Sequence, residues 1–156
     1  MQSLDARAFA GLHYDLVVMD YSRSGEKGSA FTPAELEQFR RKPNGDRRIL
    51  LSYLSVGEAE TYRYYWRPAW TAKRPSWIGR ENRTWTGNFT VEYWNEEWRR
   101  IIFEAADSYL QRIVEAGFDG VYLDRVDIYG ELEKENSNAR ADMIAFVRAL
   151  AAKARK

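Results

Sequence analysis

Three carboxylates, Asp20, Glu58 and Asp124, each stand where a short apolar run ends. The runs are Tyr14–Asp20, Arg48–Ser55 and Gly120–Asp124. Strand ends of a parallel sheet share one edge, and α/β folds gather ligand chemistry there. The three acids are therefore expected around one cleft. Beside them the sequence offers six Trp and ten Tyr, a single His and no Cys. Carboxylates with flat aromatic rings, and no Gly-rich phosphate loop, point to sugar chemistry. Glycoside cleavage needs two acids flanking the bond, one as nucleophile or base and one as proton donor. Strand-end acids also cap loops and helices, and three carboxylates can hold Mg²⁺ or Ca²⁺. No EF-hand-like spacing accompanies them, and no metal or other cofactor is expected.

Residues 61–93 form a long stretch of weak periodicity that is rich in rings. A segment of this length without its own structure is usually functional. Trp66, Trp70 and Trp77 sit in no regular pattern and are expected to serve as platforms for sugar rings. Arg63 and Arg67 would bring positive charge to the cleft edge. The same rings could instead pack the segment against its neighbours, or act as a non-catalytic carbohydrate-binding module. Trp94 and Trp98 are four apart at a helix start, which predicts that at least one is core. His13, ahead of the first strand, reads as structural.

The elements that must position these groups follow from patterning. Continuous apolarity in the strands predicts burial on both faces, hence a parallel sheet. Thr32-Pro33-Ala34-Glu35 is a helix start with a capping box, and that helix runs to about Lys42. Residues Leu4–Leu12 read as a short helix. Asn95–Ala116 reads as one long amphipathic helix closed by Gly117, and Asn138–Lys156 as the last helix. Strands alternating with helices predict an α/β fold of parallel βαβ units, a partial (β/α)8 TIM-barrel-like domain.

The chain of 156 residues is long enough for one domain, taken as residues 1–156. A closed (β/α)8 barrel takes about 250 residues, so only part of one fits. Formal net charge is +1, from 24 basic and 23 acidic residues, which gives no reason to expect nucleic acid or an anionic membrane as partner. There is no apolar run of transmembrane length. The N-terminus lacks the basic-then-apolar pattern of a signal peptide, leaving the compartment open.

Val18-Met19-Asp20-Tyr21-Ser22, Tyr53 through Arg63 and Gly117 through Asp127 resemble glycoside hydrolase family 114, the endo-α-1,4-polygalactosaminidase-like TIM barrels. Trp85-Thr86-Gly87-Asn88, Tyr93-Trp94 and the Trp98 helix are similar to that group as well. The resemblance implies a glycosidase acting on galactosamine-containing polysaccharide, in a secreted or periplasmic setting. It implies that Asp124 is the catalytic nucleophile. Glu58 is the first candidate within the chain for a second acid. Asp20, Tyr21, Glu60, Arg63 and Asp127, with Trp66 and Trp70, are the substrate-binding candidates. The family pattern also implies a strand before Tyr14 and a second half-barrel, carrying the proton donor, after Lys156. A partial barrel standing alone is expected to self-associate to cover its open edges.

Overall fold

The structure is a computed structural model that describes Phe9 and residues 11–155. The helix expected over Leu4–Leu12 lies largely outside the described residues. The chain divides into two compact units, one of residues up to Leu54 with Arg112–Tyr122, the other of Ser55–Gln111 with the residues from Leu123 onward.

The first unit is built on a sheet of order β1-β2-β6. Strand β1 (Leu16–Met19) pairs in parallel with β2 (Ile49–Ser55), from Leu16 opposite Ile49 to Met19 opposite Ser52. Strand β6 (Gly120–Asp124) lies on the other side of β2. One face of the sheet carries the core, where Met19 and Leu50 pack with Phe9, Phe31, Leu36, Phe39 and Ala116. The other face is open: Leu16, Val18 and Ile49 are 47%, 39% and 51% exposed. This corrects the expected burial on both faces. The apolarity is continuous as expected, but the described residues leave Leu16, Val18 and Ile49 on that face exposed.

Helix α1 (Pro33–Arg40) starts as its sequence dictates. The Thr32 hydroxyl accepts from the Glu35 backbone, and the Glu35 carboxylate accepts from the Thr32 N–H at 2.8 Å. Arg40, near the helix end, donates to Asp119 Oδ2 (3.1 Å) and to the Gly117 carbonyl. Asp119 Oδ2 also accepts the Leu50 N–H at 2.8 Å, so one arginine and one aspartate tie α1 to the starts of β2 and β6. Gly117, at φ 94°, turns the chain out of the preceding helix as a left-handed cap must.

The second unit holds what was expected to be a structureless aromatic segment. Strands β3 (Glu58–Glu60), β4 (Ile78–Glu81) and β5 (Asn88–Val91) form an antiparallel sheet of order β3-β5-β4, with helix α2 (Pro68–Ala72) between β3 and β4. Strands of three or four residues are too short to show alternation, so the pattern hid them. The long helix expected over 95–116 is also interrupted. It comprises α3 (Glu96–Arg99), a π-type turn over Arg100–Glu104, a break in which Ala105 is extended, and α4 (Tyr109–Ala116). The break corrects the single-helix reading, which rested on apolar spacing that continues across a local change in backbone. A short helix α5 (Tyr129–Leu132) and the long α6 (Ala139–Ala154) follow β6. Trp98 is fully buried and donates its indole N–H to the Val56 carbonyl at 2.9 Å, as a buried Trp requires. Tyr93 donates to the Ala139 carbonyl at 2.6 Å, and Phe146 of α6 packs against Phe103.

Candidate functional site

The site in the second unit begins where β2 ends. The Val56 N–H donates to the Asp124 carbonyl at 3.0 Å, which sets the end of β6 beside the segment leading into Glu58. Gly57 lies between them because nothing larger fits. A Cβ there would stand 2.5 Å from the Arg125 carbonyl oxygen and 2.6 Å from Ile128 Cγ2. Arg125 itself is at φ 60°, the only non-glycine with positive φ among the described residues. That conformation costs an L-residue about 1–2 kcal/mol, and it turns the chain sharply just after Asp124.

The turn points the Arg125 guanidinium back over the sheet edge. Its Nε lies 3.0 Å from Glu58 Oε1, and one terminal nitrogen lies 2.7 Å from Glu131 Oε1. Arg80 approaches the other Glu131 oxygen at 2.9 Å. Glu58, with its side chain only 3% exposed, also accepts from Asn82 Nδ2 at 2.9 Å. The four side chains Glu58, Arg125, Glu131 and Arg80 thus form a chain of alternating charge. Burial works against the charge on Arg125, but the Glu131 hydrogen bond and the Glu58 carboxylate outweigh it and raise the guanidinium's pKa. Glu131 is held below its ordinary value by hydrogen bonds from Arg125 and then Arg80.

These groups line an open cavity of about 580 Å³, closed on one side by the β4–β5 turn. Asn82 organises that turn: its Oδ1 accepts the Thr84 and Trp85 N–H groups at 2.9 and 3.2 Å. Trp85, also lining the cavity, is 67% exposed, the most exposed large apolar side chain among the described residues. A polar cavity with one bare indole is a fit for a carbohydrate, whose hydroxyls need hydrogen bonds and whose ring face is apolar. Among the described residues, no three histidines or carboxylates gather closely enough to hold a metal ion.

The sequence-derived candidates distribute unevenly. Glu58 lines the cavity, and Asp124 is bonded through its backbone carbonyl to Val56, two residues before Glu58. Asp127 is exposed, 4.0 Å from Arg125. Glu60 and Arg63 are each 2% exposed and satisfy one another: Arg63 Nε donates to Glu60 at 2.6 Å, and Tyr62 donates to its other oxygen at 2.6 Å. The Tyr65 hydroxyl accepts the Glu60 N–H there, and burial pushes its pKa well up. Trp70 and Trp77 are turned inward, 5% and 3% exposed, and Trp66 stacks on Phe89 at 5.5 Å. Trp66 is half-buried, and Trp85 is the most exposed indole among the described residues. Asp20 is half-buried at the end of β1 in the first unit, and Tyr21 is buried there with its carbonyl accepting the Phe31 N–H. Sequence reading did not single out Arg125, Asn82 or Arg80. The run Asn82-Arg83-Thr84-Trp85 carried one signal, because Asn favours turns in which its side chain bonds backbone two residues on.

Comparison with known proteins bears on the same residues. The pattern of glycoside-hydrolase family GH114 matches residues 12–156. The chain belongs to that family. It is 37% identical over 150 residues to the uncharacterized protein MJ1477 of Methanocaldococcus jannaschii, covering 94% of this chain and 41% of that one. It is 39% identical over 143 residues to a Deinococcus radiodurans protein, covering 91% and 42%. Among solved structures, Aspergillus fumigatus Ega3 in complex with galactosamine superposes with a TM-score of 0.58 at 26% identity, over 92% of this chain and 49% of Ega3. The glycoside hydrolase domain of PelA from Pseudomonas aeruginosa gives 0.60 at 19% identity, over 88% and 48%. This GH114 chain therefore has the α/β fold of a partial TIM barrel and spans about half the length of the relatives it matches.

Proposed function

We propose that this GH114 chain forms the nucleophile-bearing part of a glycosidase cleft acting on galactosamine-containing polysaccharide, in the manner of an endo-α-1,4-polygalactosaminidase. The observation that supports the reading is the backbone bond from Val56 to Asp124, which joins the end of β6 to the segment leading into Glu58, a residue that lines a polar cavity. Asp124 is the proposed nucleophile and Glu58 the candidate second acid. Arg125 and Asn82 both face the Glu58 carboxylate, an arrangement that also suits holding a substrate hydroxyl or amine. The substrate class draws on Ega3, which was solved with galactosamine bound. A polymer of this kind sets the reaction in a secreted or periplasmic space.

Reducing-end release from a galactosamine polymer tests the reading. Asp124→Asn is expected to lower turnover by at least about a thousandfold, as removal of a nucleophile does. Turnover that survives Asp124→Asn would refute the assignment. Turnover that survives Glu58→Gln would leave Asp124 in place and remove Glu58 as its partner.

The exposure of Trp85 favours a second reading, a carbohydrate-binding surface that does not cleave. It expects polymer affinity that persists in Asp124→Asn and falls about tenfold or more in Trp85→Ala, the loss of one stacked ring. Trp85→Ala should leave the melting temperature nearly unchanged, because little of that side chain is buried.

A further inference from the structure

The second unit contains another cavity, of about 150 Å³, between the start of β4, the end of β5 and α5. Trp77, Trp94 and Leu132 supply its apolar lining, and Glu92 and Glu135 supply two carboxylates. The Glu92 N–H donates to the Trp77 carbonyl at 2.9 Å, which fixes these two residues side by side. Trp77 is a rigid wall, 3% exposed and bonded through its indole N–H to Glu97 at 3.0 Å. Trp94 is half-buried and keeps open surface. Among the described residues, neither Glu92 nor Glu135 has a hydrogen-bond or ion-pair partner for its carboxylate. Arg80 is the one cation lining this cleft, and its guanidinium is already held by Glu131 at 2.9 Å.

We propose that this cleft binds a protonated amino-sugar ring, as a subsite separate from the larger cavity. An ammonium is drawn both to carboxylate oxygen and to the face of an indole, and a sugar's apolar face suits the Trp and Leu surface. An anion would meet two like charges. A neutral apolar ligand would strip water from both carboxylates and replace it with nothing. Whole ligand sites run roughly 300–1,000 Å³ and a water takes about 30 Å³ of liquid, so this space suits one ring rather than a polymer segment. Arg80 and Thr90 line both this cleft and the larger cavity, so neighbouring units of one polymer can occupy the two. The choice of an amino sugar over another amine rests on the polysaccharide reading above. It does not rest on cleavage at Asp124.

Proton–nitrogen NMR of the indole N–H groups in the full chain tests this, with the Trp94 signal identified by its loss in Trp94→Phe. Galactosamine is expected to shift the Trp94 signal saturably. N-acetylgalactosamine, which lacks the charge, should bind there about tenfold or more weakly. Glu92→Gln with Glu135→Gln should weaken galactosamine at Trp94 by a similar factor. The far-ultraviolet CD spectrum should stay unchanged, since neither carboxylate is bonded to the described chain. The Trp85 signal reports the larger cavity separately. A galactosamine shift confined to Trp85, or none at all, would overturn the inference, and so would equal affinity for the N-acetyl sugar or in the Gln variant. Butylamine binding at Trp94 as tightly as galactosamine would overturn the sugar assignment in favour of a lysine-type side chain. Turnover surviving Asp124→Asn would refute the cleavage reading and leave this subsite standing.

Discussion

At the scale of single residues, Arg125 carries two costs that its surroundings offset. Its backbone sits in the left-handed region, held there by the close approach of Gly57, and its guanidinium is drawn partly out of water. In return it is the cation beside Glu58, a carboxylate with almost no exposed surface. Removing one partner of a buried pair leaves the other charge stranded, at about 3–5 kcal/mol when both are buried. Arg125 is 22% exposed, so Arg125→Ala is expected to cost less, about 2 kcal/mol, after allowance for solvent screening. Urea unfolding of Arg125→Ala beside Arg125→Lys measures this. Equal stability of wild type and Arg125→Ala would show that Asn82 alone satisfies Glu58. None of this could be read from sequence. Asp124 and Glu58 stood out as acids at strand ends, but a positive φ and a guanidinium reaching back across the sheet depend on where two distant segments meet.

At the scale of elements, legibility followed from how local the determining interactions are. The capping box of α1 is read within four residues, and the structure has it bond for bond. Its Glu35 carboxyl is lowered from 4.5 to about 2, first by the Thr32 backbone hydrogen bond, then by the Thr32 hydroxyl and Arg23. A depressed carboxyl contributes stability that is present above its unfolded value and lost as pH falls through its folded value. Stability should therefore fall between about pH 4.5 and pH 2, and Glu35→Gln should flatten that part of the profile. Thr32→Ala should cost about 1 kcal/mol at neutral pH. Thermal melts across acid pH check both, and an unaltered acid limb in Glu35→Gln would be contrary to the assignment. The β3-β5-β4 sheet was invisible by comparison, because each strand owes its state to a partner rather than to its own pattern. The same holds for the break at Ala105, where inward spacing continues while the helix does not.

At the scale of the molecule, an amphipathic half-sheet and a polar cavity need different things from their surroundings. The cavity is lined by charged and amide groups with the exposed Trp85 among them, while the sheet face presents the exposed apolar side chains Leu16, Val18 and Ile49. The sequence by itself determined the parallel strands, the helix caps, the strand-end acids and the family motifs. Each rests on residues adjacent in the chain or on a short periodicity. Tertiary structure alone decided which indole stays bare, that Glu60 and Arg63 are spent on one another, and that Arg125 and Asn82 grip Glu58. Those outcomes depend on burial and on contacts between residues far apart in the chain, and no local pattern encodes which of many rings or charges the fold will cover.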